Sequence, residues 1–214
     1  MAPPHPTAEP PATKAEQVTR AARRLFLERG YGATSMEAVA REAGVSKATL
    51  YAHFAGKAEL FSAIVAAECH RFVPTVDESE VDRLPVRDAL KRIGLRFLDL
   101  LISPPALAAY RVVVAETPRF PELGRAFYDS GPATTLRVLA GYLERATARG
   151  ELAVTDPYTG AALLVGMIRS HLQLRSLLGV AEEVAEEVNE AERDRHVSAA
   201  VDLFLGGYLP HPRT

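Results

Sequence analysis

Residues 36–60, MEAVAREAGVSKATLYAHFAGKAEL, constrain the fold of this 214-residue chain more than any other stretch. In the first part of this stretch, apolar residues at positions 36, 39, 40 and 43 have the i, i+3, i+4 and i+7 spacing of one helix face. Gly44 follows them, and a glycine in this place can adopt the left-handed conformation that ends a helix. Ser46 can cap a second helix, in which Leu50 and Phe54 form a buried edge. The spacing therefore predicts two short helices that meet at a glycine turn, as in a helix-turn-helix motif.

The other face of the second helix carries short, hydroxylated, aromatic or basic side chains. Such side chains contact base edges and phosphates when a recognition helix enters the major groove of DNA. The residues of this helix that we expect to contact double-stranded DNA are Lys47, Ala48, Thr49, Tyr51 and His53. Lys57 begins a longer helix, where its ammonium and the free amides of the first turn form a site suited to a phosphate. An ordinary surface lysine is the alternative for Lys57.

The motif is part of a longer pattern. LFLERGYGATS precedes the two helices, AGVS forms the turn between them, and LYAHFAGKAELF covers the end of the second helix and the residues after it. With these segments, residues 14–60 resemble the DNA-binding module of TetR-family transcriptional regulators. The resemblance implies an all-α fold, with an N-terminal three-helix helix-turn-helix domain followed by an antiparallel helical ligand-binding and dimerisation domain. It also implies phosphate contacts from Thr34 and Ser35, although the capping-box spacing of Thr34 and Glu37 is enough to explain these hydroxyls.

Charge is distributed unevenly along the chain. The formal net charge of the whole chain is -2. Residues 1–60 carry eight Lys and Arg against six Asp and Glu, which gives +2, while the remainder carries seventeen against twenty-one, which gives -4. A basic DNA-binding part on an acidic body is consistent with this asymmetry, and a charge-mixed helical surface can also produce it.

The termini and cysteine content predict a cytoplasmic protein. The N-terminal MAPPHPTAEPPATK lacks the basic start and apolar middle of a secretory signal, and its prolines predict a disordered arm over residues 1–12. No uninterrupted apolar run is long enough to cross a membrane. The single cysteine, Cys69, excludes an internal disulfide. It is either a small apolar filler or, if exposed as a thiolate, a redox sensor.

Further helices are predicted along the rest of the chain. The segment 112–114, with three consecutive valines, favours a strand by intrinsic preference, but no second strand pattern lies near enough to pair with it. We therefore expect a helix there. The other predicted helices cover residues 13–29, 57–72, 84–102, 132–149, 158–178 and 193–209. The predicted division is an arm over 1–12, a helix-turn-helix domain over 13–60, and a helical effector-binding and dimerisation domain over 61–214.

Two of these helices are predicted to form a homodimer interface. Residues 159–168 carry no charge on any side, so a helix there needs apolar cover all round. A second copy of the chain can supply it in a two-fold four-helix bundle with the last helix, as the resemblance implies. Burial within one chain is the alternative. The predicted interface residues are Leu163, Leu164, Met167, Ile168, Val197, Val201 and Phe204.

The body carries a second resemblance. RVVVAETPRFPELGRAFYDSGP, ARGELAVTDP and the helix that ends in HLQLRSLLG resemble the ligand-binding half of the AefR-like branch of TetR regulators. This resemblance implies a pocket for a small hydrophobic effector. Bulky apolar side chains with a few polar tips are typical of such a pocket, and also of a solid core. The predicted pocket residues are Phe97, Tyr110, Phe127, Tyr128, Tyr142, Met167 and His171.

The sequence contains no pattern typical of an enzyme. It has no Gly-rich phosphate loop, nucleophile elbow or clustered His/Cys set, and His70, His171 and His196 stand alone in helical stretches. No catalytic residue, metal or cofactor is therefore predicted.

Three functions remain possible for this chain. The first is a homodimeric repressor that a small apolar effector releases from a palindromic operator. The second is a helix-turn-helix regulator without such an effector, switched by a protein or acting as an activator. The third is an enzyme or scaffold that contains the motif.

Overall fold

The computed structural model describes residues 13–72, 78–179 and 190–209. Within these ranges the chain forms eleven helices and no strand, which confirms the predicted all-α class. The helices are α1 Lys14–Arg29, α2 Met36–Ala43, α3 Lys47–His53, α4 Lys57–Phe72, α5 Glu78–Val81, α6 Val86–Ile102, α7 Pro104–Glu116, α8 Pro121–Ser130, α9 Pro132–Ala148, α10 Pro157–Leu177 and α11 Glu190–Tyr208. The arm predicted over residues 1–12 lies outside the described residues, as do the side chains of Cys69 and His70.

The predicted turn between α2 and α3 is confirmed. Gly44 ends α2 with φ 64° and ψ 33°, in the left-handed region that a side chain disfavours. The Ser46 hydroxyl accepts a hydrogen bond of 3.0 Å from the backbone amide of Thr49 and so begins α3. Leu50 and Phe54 are buried, as their spacing predicted. The two helices therefore meet as a helix-turn-helix.

The N-terminal helices share an apolar cluster with the body. The cluster contains buried residues of α1 to α4, and it continues into Val113 of α7 and Leu123 of α8. We call it the shared cluster. Ring contacts run through it, with centroid distances of 5.9 Å between Phe26 and Phe61 and 6.0 Å between Tyr31 and Phe61. The division predicted at residue 60 therefore falls inside a continuous core.

The body has a second core between α6, α9, α10 and α11. Gly94 allows α6 to approach α11 closely, because a Cβ atom there would lie 2.8 Å from Cγ1 of Val197. Several residues predicted to lie in the dimer interface belong to this core. They are Leu164, Ile168, Val197, Val201 and Phe204. Side chains of their own chain already cover these five residues, so they have little surface left for a partner chain.

Helix α10 is broken at Ser170, whose φ of 12° and ψ of -132° lie outside the helical range. Close to the break, Nε2 of His196 in α11 lies 2.9 Å from the carbonyl oxygen of Ile168. A protonated Nε2 of this imidazole can donate a hydrogen bond to that carbonyl. Asp156 caps the start of α10, accepting hydrogen bonds from the amides of Tyr158 and Thr159.

The valine-rich segment 112–114 lies in α7, so the prediction of a helix there is confirmed. Among the described residues, no single helix is long and apolar enough to cross a membrane; α6 and α7 reach that length and composition only when joined across a 62° bend.

Replacing Gly44 tests the turn. We expect Gly44→Ala to lower the free energy of unfolding by about 1 to 2 kcal/mol, because a Cβ atom is strained at positive φ. Gly56→Ala is the matched control, since Gly56 lies outside the positive-φ region and a Cβ atom there meets nothing within 4 Å. Urea titration followed by circular dichroism measures both. Equal stability of the two variants would contradict the argument.

Candidate nucleic-acid interface and internal cavity

One face of α3 is exposed. Lys47, Ala48, Tyr51 and His53 lie on the outside of the molecule, opposite the buried Leu50, and Tyr51 is 49% exposed. Thr49 is half-buried, and its hydroxyl lies 2.8 Å from that of Ser46. The exposed side chains can reach a DNA groove without any change in the core.

Lys47 has a partner on α2. Its ammonium lies 3.1 Å from a carboxylate oxygen of Glu37. A hydrogen bond from its own backbone amide, and then the ammonium of Lys47, lower the pKa of Glu37. Both side chains are largely exposed, and such pairs contribute little stability. Lys47 can therefore exchange this carboxylate for a phosphate or a base edge.

The two hydroxyls before α2 have different positions. Ser35 is exposed and caps α2, accepting a hydrogen bond of 3.1 Å from the amide of Ala38. Thr34 is only 2% exposed, and its hydroxyl donates to the carbonyl of Gly30 at 2.9 Å. The capping box predicted from Thr34 to Glu37 is therefore wrong, and burial removes Thr34 from the set of residues that can reach a phosphate.

The side chain of Lys57 contacts the backbone and the ring of Tyr31. Its ammonium donates a hydrogen bond of 2.9 Å to the carbonyl of Tyr31 and lies 4.6 Å from the centroid of that ring. Burial lowers the pKa of Lys57, and the charges of Glu116 and Glu122 oppose this shift. The structure thus gives Lys57 a partner other than the predicted phosphate, and we remove it from the proposed DNA contacts.

The loop between α1 and α2 contacts the body beside Lys57. The ring centroids of Tyr31 and Phe120 are 5.4 Å apart, and the amide of Gly32 donates to Glu116 at 3.3 Å. A Cβ atom on Gly32 would lie 2.9 Å from Cε2 of Phe120. Sequence reasoning missed this junction, because 84 residues separate Gly32 from Glu116 and no local pattern joins them.

A cavity of about 340 Å³ lies between the DNA-binding helices and the body. Phe26 of α1 and Phe61 of α4 contribute to its wall, together with residues of α6 to α10. Its volume lies in the range of sites for small organic molecules. The predicted effector domain alone therefore does not enclose the cavity, since the helix-turn-helix part supplies one side of it.

The predicted pocket residues divide into two groups. Those that line the cavity are Phe97, Tyr110, Phe127 and Tyr128. Tyr142 lines a separate, smaller cavity of about 100 Å³, and its buried hydroxyl has no hydrogen-bond partner among the described residues. Met167 packs partly buried against the core of the body, and His171 is exposed with its ring against that of His196. The pocket prediction is therefore wrong for Met167 and His171.

Four polar residues of the cavity wall escaped sequence reasoning. They are Arg23 of α1, Thr135 of α9, and Arg169 and Gln173 of α10. The cavity wall contains no Asp or Glu from the described residues. A single arginine or glutamine in a helix carries no local signal for such a role, because only the packing of the surrounding helices decides which side chains face the cavity. Across the described ranges, no cluster of three or more His, Cys, Asp or Glu could hold a metal ion.

Helices α10 and α11 also expose several leucines. Leu163 of α10 is one of the predicted interface residues. Leu174 of α10, Leu178 after its end and Leu203 of α11 are exposed as well and were not predicted, with Leu203 74% exposed. Exposed leucines on adjacent helices are typical of a protein contact surface.

Comparison with known families identifies both halves of the chain. Residues 18–64 match the model of bacterial regulatory proteins of the tetR family. Residues 88–210 match the C-terminal domain of AefR-like transcriptional repressors. The chain belongs to the TetR family of transcriptional regulators. The helix-turn-helix of α2 and α3 is therefore its DNA-binding element, which confirms the family resemblance of both segments.

Individual TetR-family relatives differ in how much of the chain they match. The structure of the flavonoid-responsive regulator FrrA is 37% identical, with a TM-score of 0.77 over 93% of this chain and 98% of FrrA. The transcriptional regulator UidR of Escherichia coli K12 is 24% identical over 94% of both chains. The transcriptional activator FasR of Mycolicibacterium smegmatis is 34% identical, but the match spans only 40% of this chain and 39% of FasR.

Titration of Tyr31 tests the junction between the two halves. Burial, and then the charge of Glu122, raise its pKa from 10.0 to about 12. The unfolded chain loses this proton near pH 10, whereas the folded chain keeps it to about pH 12. Its contribution to stability is therefore complete below pH 10 and is lost as pH rises through this window, by up to about 1.4 kcal/mol per pH unit.

We expect Tyr31→Phe to make the free energy of unfolding fall less steeply between pH 10 and 12 than in the wild type. Tyr51→Phe, on the exposed face of α3, is the control and should follow the wild type. Urea titrations across this pH range give the slopes. A Tyr31→Phe slope identical to that of the wild type would place the titrating group elsewhere.

Proposed function

We propose that this TetR-family protein is a homodimeric repressor that leaves a palindromic operator when a small apolar effector enters the cavity. The cavity of about 340 Å³ is the observation that carries this proposal, because α1 and α4 of the DNA-binding part form one of its walls. A ligand there contacts the DNA-binding helices directly. We also propose that the protein acts in the cytoplasm and catalyses no reaction.

The proposed DNA contacts lie on α3 and at the start of α2. They are Ser35, Lys47, Ala48, Thr49, Tyr51 and His53. Tyr51 is the only large aromatic side chain on this exposed face of α3, and Lys47 is the only lysine or arginine there. The ring of Tyr51 suits an apolar contact with a thymine methyl, and the ammonium of Lys47 suits guanine or phosphate.

The proposed dimer contact is the exposed face of α10 and α11. In a two-fold dimer each chain presents the same surface to the other, so Leu163, Leu174 and Leu203 would meet their own copies or near neighbours. Recognition helices need paired half-sites about 34 to 36 Å apart for tight binding. A dimer fixed through this face can hold the two α3 helices at such a distance.

The similarity of residues 88–210 to the AefR-like repressor domain supports repression as the direction of regulation. Activation is the alternative, since the name of FasR describes an activator. FrrA is named as flavonoid-responsive, which supports an aromatic effector for a chain similar over nearly its whole length. By linkage, effector and DNA must weaken each other by the same factor, typically about 5 to 150-fold. Helix α4 joins α3 to the body and transmits the change.

Variants of α3 test the DNA contacts. We expect Lys47→Ala and Tyr51→Ala each to weaken operator binding by about 1 to 3 kcal/mol, the range of one good base contact. Arg125→Ala, an exposed arginine of α8 outside the cavity wall, is the control and should bind like the wild type. Fluorescence anisotropy with DNA from immediately upstream of the gene measures all three. Wild-type affinity in both α3 variants would exclude α3 as the recognition helix.

Release by an effector is tested with the same assay. Titration of a flavonoid such as naringenin, the ligand class in FrrA's name, should lower the affinity of the wild type for operator DNA. Stable DNA binding in the presence of saturating flavonoid, with calorimetry showing that the flavonoid binds, would favour a regulator without effector-driven release.

Two substitutions on α11 separate the dimer face from the core. Leu203→Glu should leave helicity unchanged and halve the mass in sedimentation, because its side chain is exposed in the single chain. Val201→Glu, two residues away, buries an unpaired carboxylate in the core and should unfold the chain at a cost of several kcal/mol. A Leu203→Glu variant that remains dimeric would move the interface off this face.

A further inference from the structure

We propose that the effector is an amphiphile with an apolar, aromatic-sized body and one anionic group, and that Arg169 and Gln173 of α10 bind this group. The inference rests on the proposed function, in which the cavity holds a small effector. It specifies the chemical class that the cavity selects.

The charge of the cavity wall is of one sign. Arg23 and Arg169 line it, and no Asp or Glu of the described residues does. Most of the remaining wall is apolar, with rings from Phe26, Phe61 and Phe97. Apolar walls hold water away from the ligand, so a charge-assisted hydrogen bond inside is stronger than the same bond at the surface. A cationic ligand would be repelled by Arg169, and a neutral ligand would form only weaker hydrogen bonds with it than an anion does.

Gln173 marks the polar end of the site. It is only 5% exposed and lies on the cavity wall. Its side-chain amide forms no hydrogen bond with another described residue, and its polar atoms are not fully enclosed by the protein. The N–H groups of this amide can therefore donate hydrogen bonds to a ligand carboxylate or phenolate.

Arg169 lies four residues before Gln173, and it is exposed, so it stands at the mouth of the cavity. Its guanidinium takes part in no ion pair among the described residues. Several other arginines of the body are held by carboxylates. Arg87, Arg92, Arg145, Arg149, Arg175 and Arg193 each pair with Asp or Glu at 3.6 Å or less. Arg169 is thus a cation at the cavity that no carboxylate of the described residues neutralises.

A matched pair of ligands isolates the effect of charge. Diphenylacetic acid and diphenylacetamide share the same apolar body, and at neutral pH only the acid is anionic. We expect the full-length wild-type protein to bind the acid about tenfold more tightly than the amide in isothermal titration calorimetry, as one charge-assisted contact implies. The flavonoid of the release assay is titrated in parallel as a test of the cavity itself.

Arg169→Gln should reduce this preference to about twofold or less, with little change in the affinity for the amide, because it removes the charge and keeps a hydrogen-bonding side chain. Arg125→Gln removes the same charge away from the cavity and should keep the full preference. Sedimentation of each variant records the oligomeric state. An Arg169→Gln variant that keeps the preference and changes in mass would assign the arginine to the dimer contact and overturn the proposal.

Gln173→Leu supplies a second test. It should weaken the binding of both probes about fivefold, because each loses a hydrogen bond to the side-chain amide. The ligand-free variant should melt at the same or a higher temperature, since the substitution removes no hydrogen bond to another described residue. A lower melting temperature would mean that the amide serves the fold.

The outcomes separate this inference from the proposed function. Equal wild-type affinity for the acid and the amide, with measurable binding of both, would refute anion selection while leaving the effector cavity in place. A lack of binding by the acid, the amide and the flavonoid would refute the effector cavity itself. A preference for the acid that disappears in Arg169→Gln and persists in Arg125→Gln supports the inference.

Discussion

Packing of Tyr31 and Phe61 against Phe26 and Phe120 is the interaction on which the arrangement of this molecule depends. A three-helix unit of this size buries little surface by itself. Here α1 and α4 complete their core with side chains from α7 and α8. The orientation of α3, the inward position of Lys57 and one wall of the cavity all follow from that shared burial. The DNA-binding part is therefore a segment of a larger core.

Local features were predictable from the sequence because neighbouring residues determine them. The left-handed turn at Gly44, the cap by Ser46 and the cap of α10 by Asp156 each depend on a few adjacent positions. Helical periodicity likewise predicted most of the long helices, with ends close to those observed. The exposed face of α3 followed from the buried position of Leu50, since residues between the apolar positions must face outward.

The positions of side chains that depend on tertiary packing were not predictable from the local sequence. Thr34 and Ser35 are adjacent hydroxyl residues, and the path of the chain after Tyr31 decides which one caps α2 and which is buried. Leu163 and Leu164 are both apolar, yet packing against α9 and α11 covers only the second. Gln173 lies on the same side of α10 as Ala162, Gly166 and Arg169, and only the packing of the other helices shows that a cavity lies on that side. Each of these outcomes depends on elements distant in sequence.

Because α1 and α4 form part of the cavity wall, the size of a ligand can affect the position of these two helices. Protein interiors are close-packed and resist overfilling. A molecule that fits within about 340 Å³ stabilises the helices where they stand. A bulkier one must select an arrangement in which α1 and α4 lie farther from α10, and a ligand shifts an equilibrium only through such a difference in affinity. Of two chemically similar compounds, the bulkier one therefore displaces the DNA-binding helices further, so that ligand volume, as well as ligand chemistry, determines the strength of the response.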